Sequence, residues 1–220
     1  MRRLVVLLLA TCCLMASIPM NAHAANTDQK RIVLTFDDGP HPKQTRQILD
    51  VLDKYGIKAT FFVIGVHAKT YPGIITEVLD RGHEIGNHTT THSHAKNMNI
   101  SDLICEITTC ETEIFKQTGI QSTLFRPPEG ATTEQSRQVV KKLGYTSVFW
   151  TLDTRDWAHT PPEKISEYII QNAKNGDIIL MHDYIGSNSP TVNALELFIP
   201  ELLDQGFTFV TAGDLLKNQK

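Results

Sequence analysis

The chain is best understood from residues 31–40, which have the sequence Arg31-Ile-Val-Leu-Thr-Phe-Asp-Asp-Gly-Pro40. The apolar residues predict a buried strand, and two carboxylates, Asp37 and Asp38, follow at its end, before a Gly-Pro turn. Adjacent side chains of a strand point to opposite sides, so one carboxylate can bind a metal ion while the other faces a substrate. Because Asp, Gly and Pro are also ordinary turn residues, this interpretation depends on the sequence downstream.

Strand and helix patterns alternate along the rest of the chain. Seven strands are predicted, at residues 32–36, 59–64, 83–87, 123–126, 146–150, 177–181 and 207–211. Helical patterns between them indicate a parallel sheet with helices outside it. An open doubly wound sheet and a closed barrel share this pattern. Polar residues follow most of the strands, and in a barrel they would converge on one mouth. We therefore predict a single-domain α/β fold, a seven-stranded (β/α) TIM-like barrel.

Length and charge limit the class of protein. With 220 residues, of which 41% are hydrophobic, the chain is large enough to bury the core of one domain. The net charge is −3, and no run of lysine and arginine residues is present in the sequence. A nucleic-acid partner is therefore not expected.

The N-terminus predicts export. Arg2-Arg3 precede a short apolar stretch, and Ala22-His23-Ala24 fits a cleavage site, so residues 1–24 are predicted to be a signal peptide. Residues 25–30 form a short polar leader, and residues 31–217 form the domain. The apolar stretch is shorter than the roughly 20 residues that span a bilayer, which favours cleavage over a retained membrane anchor. We expect a secreted or cell-envelope protein with no stable membrane insertion once processed.

A second motif, His88-Thr-Thr-Thr-His92, provides two possible metal ligands. On a helical turn, residues four apart place both imidazoles on one side. Together with one aspartate they form a three-ligand set of the kind that catalytic divalent sites use. A histidine-rich loop can also be a solvated polar segment, but the Asp-Asp pair upstream favours the metal site. Zinc fits these ligands, as do other first-row divalent metals.

Five segments in chain order carry a resemblance to a known family. They are Thr35-Phe-Asp-Asp-Gly39, His88-Thr-Thr-Thr-His92, Arg126-Pro-Pro-Glu-Gly130, Asp153-Thr-Arg-Asp-Trp157 and Leu180-Met-His182. Through these five segments the sequence resembles the NodB-homology polysaccharide deacetylases, carbohydrate esterase family 4. The resemblance extends over roughly residues 31–216, nearly all of the predicted domain.

The resemblance implies a deformed (β/α) barrel and a division of roles within it. It implies a divalent metal, commonly zinc, on Asp38, His88 and His92, and Asp37 as the general base. By the same resemblance His182 is the general acid that protonates the departing amine, a role suited to an imidazole of near-neutral pKa. Without the resemblance, His182 would be interpreted as a strand-end histidine bonded to the backbone.

Two further residues are implied as supports for the acid and the base. The resemblance suggests that Arg126 pairs with Asp37 and that Asp156 orients His182, as carboxylates orient histidines in other acid–base pairs. The alternative is a structural ion pair at the rim of the barrel.

Four residues are predicted to contact the substrate, namely Pro128, Glu129, Trp157 and Leu180. Trp157 and Leu180 would shape a pocket for the acetyl group, since an indole offers a flat apolar wall. Family members often carry Tyr at the position of Glu129. In the family, the backbone N–H at this position helps to hold the oxyanion, and glutamate keeps that N–H. The carboxylate of Glu129, however, changes the contacts with substrate.

The sequence therefore predicts an exported, metal-dependent hydrolase of carbon–nitrogen amide bonds that removes acetyl groups from N-acetylhexosamine residues. Its expected partner is a polysaccharide, with peptidoglycan the first choice. A chitooligosaccharide deacetylase, an acetylxylan esterase and a catalytically silent carbohydrate-binding barrel remain alternatives. A metallophosphatase would be expected to show ligands for two metal ions and basic phosphate clamps. The sequence does not indicate the oligomeric state.

Overall fold

The computed structural model describes residues 29–94, 96 and 98–217. The predicted signal peptide, residues 1–24, and residues 25–28 of the predicted leader lie outside the described residues and stay predictions. Within the described part of the chain, no helix combines the length and apolar character needed to cross a bilayer.

The described strands form one parallel sheet. Their bounds are β1 Lys30–Asp37, β2 Thr60–Val63, β3 Glu84–Asn87, β4 Leu124–Phe125, β5 Thr146–Ser147, β6 Leu152–Asp153, β7 Ile178–His182 and β8 Phe207–Phe209. The order along the sheet is β5-β4-β3-β2-β1-β7-β6, and β8 pairs with the first residues of β1. Among the described strands β5 and β6 do not pair with each other, so the sheet is a curled half-barrel and not a closed ring.

Helices connect the strands. Their bounds are α1 Gln44–Lys54, α2 Gly65–Thr70, α3 Ile74–Asp80, α4 Ile100–Thr118, α5 Glu134–Lys142, α6 Pro162–Asn172, α7 Thr191–Asp204 and α8 Ala212–Lys217. Short 3₁₀ turns occupy Pro128–Gly130 and Asp156–Ala158. The prediction of a single-domain α/β fold with a deformed barrel is confirmed. All seven predicted strands overlap an observed one, but β6 was not predicted, because two residues are too short for a periodic pattern.

The apolar run of β1 lies at the centre of the core. Ile32, Leu34 and Phe36 pack toward the outer helices, and Phe36 stacks on Phe61 of β2 with ring centroids 4.9 Å apart. Val33 points to the opposite face and joins a smaller cluster that includes residues of α8. Both faces of β1 are therefore covered, which explains why its sequence is continuously hydrophobic instead of alternating.

The sheet register brings the ends of neighbouring strands together. Asp37, the last residue of β1, is in register with Phe62 of β2 on one side and His182 of β7 on the other. Asn87 at the end of β3 pairs with Phe125 of β4. Because all these strands are parallel, the polar residues that follow them lie at one edge of the sheet.

Candidate active site

A cavity of about 530 Å³ opens at the carboxyl edge of the sheet. Its lining combines acidic, imidazole and aromatic side chains, namely Asp37, Asp38, His88, His92, Glu129, Trp150, Asp153, Trp157, Leu180 and His182. Eight of these ten residues belong to the predicted site, which the fold collects from five separate segments of the chain. Ligand and substrate sites of parallel α/β folds are expected at this edge.

Asp38, His88 and His92 form a cluster in which one ligand atom from each lies within 4.8 Å of the others. Asp38 Oδ1 lies 3.5 Å from His88 Nε2 and 3.2 Å from His92 Nε2. The same Oδ1 is buried and has no hydrogen-bond partner. Burial raises the pKa of Asp38, but the adjacent His88 imidazole and the charges of His88, His182 and His92 outweigh burial and lower it to about 2.

The cluster fits a divalent metal ion. His88 Nδ1 lies 2.7 Å from the carbonyl oxygen of Arg126, and because a carbonyl only accepts, Nδ1 carries the proton and Nε2 keeps its lone pair. Two imidazoles, one carboxylate and an open cavity match the ligand set of catalytic zinc. The orphaned Oδ1 of Asp38 is the group that such an ion would satisfy.

The loop that carries the two histidines is not helical, which corrects the expectation from their four-residue spacing. Thr89 and His92 both have left-handed backbone angles, with φ of 68° and 61°. Glu106 of α4 fixes the loop, since its Oε2 accepts hydrogen bonds from the backbone N–H groups of Thr90 and Thr91. Two residues with left-handed backbone angles, and not a helical turn, therefore bring His88 and His92 to one side.

Asp37 is held by a buried arginine. Arg126 is fully buried, and its Nη1 donates to Asp37 Oδ1 at 2.8 Å and to Thr35 Oγ1 at 2.7 Å. Its Nε donates to the carbonyl oxygen of Val148 at 3.1 Å. Burial lowers the pKa of Arg126, while the charge of Asp37 opposes the shift. The second carboxylate oxygen, Asp37 Oδ2, lies 3.7 Å from His88 Nε2, so this side faces the metal cluster.

His182 is oriented by Asp156. Its Nδ1 lies 2.7 Å from Asp156 Oδ1, which leaves Nε2 for the cavity. Asp156 is fully buried and also accepts hydrogen bonds from the backbone N–H of His182 and from the hydroxyl of Thr191. Burial lowers the pKa of His182, but the hydrogen bond to Asp156 and the charges of Asp156, Asp37 and Asp38 raise it to about 9.

The predicted substrate-contact residues differ in position. Trp157, with 49% of its surface exposed, and Leu180 line the cavity together with Glu129. Pro128 is buried and is not among the lining residues, so its contact with substrate stays a prediction. Trp150, which lies within the strand predicted at residues 146–150, is also part of the cavity wall.

Sequence reasoning missed two residues behind the metal cluster. His67 Nδ1 lies 2.7 Å from the carbonyl oxygen of Asp38, a residue with a left-handed φ of 75°. Asp183 is buried against Gly39, accepts a hydrogen bond from Thr45, and has its pKa raised by burial to about 7. Both contacts join distant parts of the chain, so no local pattern could have revealed them.

Comparison with known proteins agrees with this geometry. The polysaccharide deacetylase family matches residues 24–148. A peptidoglycan-N-acetylglucosamine deacetylase of Bacillus cereus is 42% identical over 192 residues, covering 86% of this chain and 90% of the relative. The peptidoglycan-N-acetylmuramic acid deacetylase PdaA of Bacillus subtilis is 35% identical, and the match covers 88% of this chain and 74% of the relative.

A solved structure is similar over the same region. It is a family 4 acetyl xylan esterase from Clostridium thermocellum in complex with a cobalt ion, with a TM-score of 0.81 and 36% identity over 86% of this chain and 91% of that one. Some other relatives are longer, and the chain spans 39% of one from Listeria monocytogenes and 40% of another from Bacillus subtilis.

The fold and the site thus define a hydrolase built on a parallel half-barrel with its polar groups at the carboxyl edge. The chain belongs to the polysaccharide deacetylase family, the NodB-homology group that its motifs resemble. The predictions of the family and of the hydrolase class are both confirmed.

Proposed function

We propose that this protein is an exported, metal-dependent N-deacetylase that removes acetyl groups from N-acetylhexosamine residues of peptidoglycan. The observation that carries the proposal is the arrangement of one cavity. A carboxylate fixed by a buried arginine and a histidine fixed by a buried aspartate both face the Asp38–His88–His92 cluster. Base, acid and metal ligands for amide hydrolysis are therefore present together.

Asp37 is suited to act as the base. A divalent ion on the cluster supplies activation of water and polarisation of the acetyl carbonyl. Asp37 accepts the proton of the attacking water, and Arg126 holds its Oδ1 so that Oδ2 faces the cluster. Such a positioned base contributes typically 10²–10⁴-fold to a hydrolytic rate.

His182 is suited to act as the acid. Once the water oxygen has bonded to the carbonyl carbon, the carbon–nitrogen bond breaks only if the nitrogen gains a proton, because an amide anion is a very poor leaving group. His182 donates that proton from Nε2, while Asp156 holds Nδ1 and stabilises the imidazolium. The products are acetate and the free sugar amine.

The choice of peptidoglycan rests on the relatives and on the predicted signal peptide. Ester hydrolysis on acetylxylan is the second candidate, because the acetyl xylan esterase has a similar structure and the same groups can attack either carbonyl. An ester releases an alcohol, and protonation of this leaving group matters less for the rate than protonation of an amine leaving group does. Loss of His182 would therefore lower an amidase rate more than an esterase rate.

Acetate release by the purified, zinc-loaded protein tests the proposal. Peptidoglycan, chitooligosaccharides and acetylxylan are compared, each with and without a chelator. We expect chelator-sensitive release that is fastest from peptidoglycan. Release from acetylxylan alone would support the esterase, and no release from any polymer by a protein with bound metal would support a carbohydrate-binding role.

A further inference from the structure

The walls of the cavity are acidic. Four carboxylates line it, those of Asp37, Asp38, Glu129 and Asp153, and no lysine or arginine is among the lining residues in the part of the chain that the structure describes. Outside the metal cluster and His182, this lining attracts cations and repels anions.

Three of the four carboxylates are already engaged. Asp37 pairs with Arg126, and Asp38 belongs to the metal cluster. Asp153 Oδ1 accepts hydrogen bonds from the backbone N–H of Arg155 at 2.8 Å and from the indole N–H of Trp157 at 3.4 Å. These three have roles in holding the site. Glu129 is more exposed, lies at the rim with one oxygen near His94, and is the carboxylate most accessible to a substrate.

Glu129 stands at the rim in a defined position. Its side chain is 60% exposed, and Oε1 lies 3.2 Å from His94 Nε2. The backbone of Glu129 is left-handed, with φ of 55°. A hydrogen bond from the N–H of Gly130 to the carbonyl oxygen of Pro127 closes the turn. A side chain at Gly130 would meet Trp150 at 3.1 Å, so the turn is packed against the cavity wall.

We propose that Glu129 selects the sugar by charge, admitting N-acetylglucosamine and disfavouring N-acetylmuramic acid. This inference rests on the proposed function and names which of the two sugars is deacetylated on peptidoglycan strands that have no stem peptides. N-acetylglucosamine presents only neutral groups, and its hydroxyls can donate hydrogen bonds to a carboxylate, which only accepts. N-acetylmuramic acid has a lactyl ether in place of one hydroxyl, and the lactyl group ends in a free carboxylate wherever no stem peptide is attached to it. Glu129 repels that carboxylate, and no lysine or arginine of the described cavity lining is present to pair with it.

The expected selectivity follows from the repulsion of two like charges at a protein surface. We expect it to lower the rate at N-acetylmuramic acid about tenfold, which corresponds to about 1.4 kcal/mol. Because Glu129 is exposed, salt should weaken this repulsion.

The test uses glycan strands from which an amidase has removed the stem peptides, so that every N-acetylmuramic acid has a free lactyl carboxylate. Both sugars are then present in equal number in one polymer and compete for the same enzyme. Digestion with a muramidase and mass spectrometry of the fragments give the initial rate of deacetylation at each sugar. We expect the wild type to favour N-acetylglucosamine about tenfold at low salt, and less at high salt.

Variants at position 129 identify the cause. Glu129→Gln should bring the rate ratio of the two sugars several-fold closer to one, and Glu129→Lys should bring it closer still. Glu163→Gln is the matched control, because it removes the same charge from an exposed residue of α6 outside the cavity lining.

Each result has one meaning. An unchanged ratio in Glu129→Gln, or an equal change in Glu163→Gln, would overturn charge selection by Glu129. Neutral N-acetylglucosamine oligomers, assayed in parallel, separate this outcome from failure of the proposed function. Acetate release from those oligomers with an unchanged ratio overturns the inference alone, whereas no release from any substrate overturns both.

Discussion

The two adjacent aspartates have opposite surroundings. Asp37 ends a buried strand and is bonded to Arg126, whereas Asp38 has a left-handed backbone and turns its Oδ1 toward two imidazoles. One change of backbone angle between neighbours separates the proposed base from the proposed metal ligand. The division of roles predicted from the strand-end pair therefore has a physical basis.

Substitution of each aspartate should separate these roles. We expect Asp37→Asn to lose at least 10²-fold in turnover and to keep its metal, because the amide cannot accept the proton. It should also be destabilised by up to about 3 kcal/mol, since the buried charge of Arg126 loses its counterion. Asp38→Asn should lose the metal. Metal content and turnover are measured together, and loss of metal in Asp37→Asn would show that the two roles are exchanged.

The pH dependence should report the pair of His182 and Asp156. Burial lowers the pKa of His182, so the raised value of about 9 depends on the hydrogen bond and charge of Asp156 and on the charges of Asp37 and Asp38. In Asp156→Asn the pKa should fall, and the alkaline limb of the kcat/KM profile should move to lower pH. A limb that stays in place would remove His182 from the role of acid.

The same pair has a consequence for stability. Because folding raises the pKa of His182 above its ordinary value of 6.5, its contribution to stability is complete below about 6.5 and is lost as the pH rises through about 9. The free energy of unfolding of the wild type should therefore fall over this range more steeply than that of Asp156→Asn. Urea titrations at several pH values measure both slopes.

At the scale of elements, the turn after β1 is packed too tightly for a larger residue. A Cβ at Gly39 would collide with the buried carboxylate of Asp183, which follows β7. The turn carries Asp38, so this contact between two strand ends fixes the proposed metal ligand.

Gly39→Ala should therefore weaken metal binding. Such overpacking costs typically 1–3 kcal/mol, and the displaced turn should lower zinc affinity tenfold or more. The measurements are a zinc competition titration with a chromophoric chelator and thermal unfolding. Asp183→Ala and the double variant complete a cycle. If the double variant binds zinc no better than Gly39→Ala, the collision with Asp183 is not the cause.

The strands and the order of the motifs could be predicted because their causes are local. The apolar run of β1 and the polar residues after each strand require only the alternation of the chain. The shape of the loop at residues 88–94 could not be predicted from the sequence, because Glu106, sixteen residues beyond Thr90, holds the loop. The approach of Glu129 to His94 and of His67 to Asp38 likewise depends on the tertiary fold. The two-residue strand β6 forms only because β7 is beside it.

At the scale of the whole molecule, metal binding should stabilise the fold. The ligands come from the ends of β1 and β3 and from the loop after β3, so an ion joins segments that the unfolded chain separates. Zinc at a hundred times its dissociation constant should add about 2.7 kcal/mol, which raises Tm by roughly 5–10 °C for a chain of this size.

Thermal unfolding with and without zinc checks this prediction. Asp38→Asn should abolish the increase in Tm, whereas the exposed His159 can be replaced by Asn as a control that keeps it. An increase that persists in Asp38→Asn would show that zinc binds elsewhere.

If the cavity is a one-metal N-deacetylase site, acetate release should require one metal ion per chain. The most direct test is a zinc titration of the chelator-stripped protein, with acetate release from N-acetylglucosamine oligomers measured at each addition. We expect no activity without metal and a linear rise that ends at one zinc ion per chain, with no rise in Asp38→Asn. Full acetate release by the stripped protein, or an endpoint at two ions per chain, would contradict this expectation.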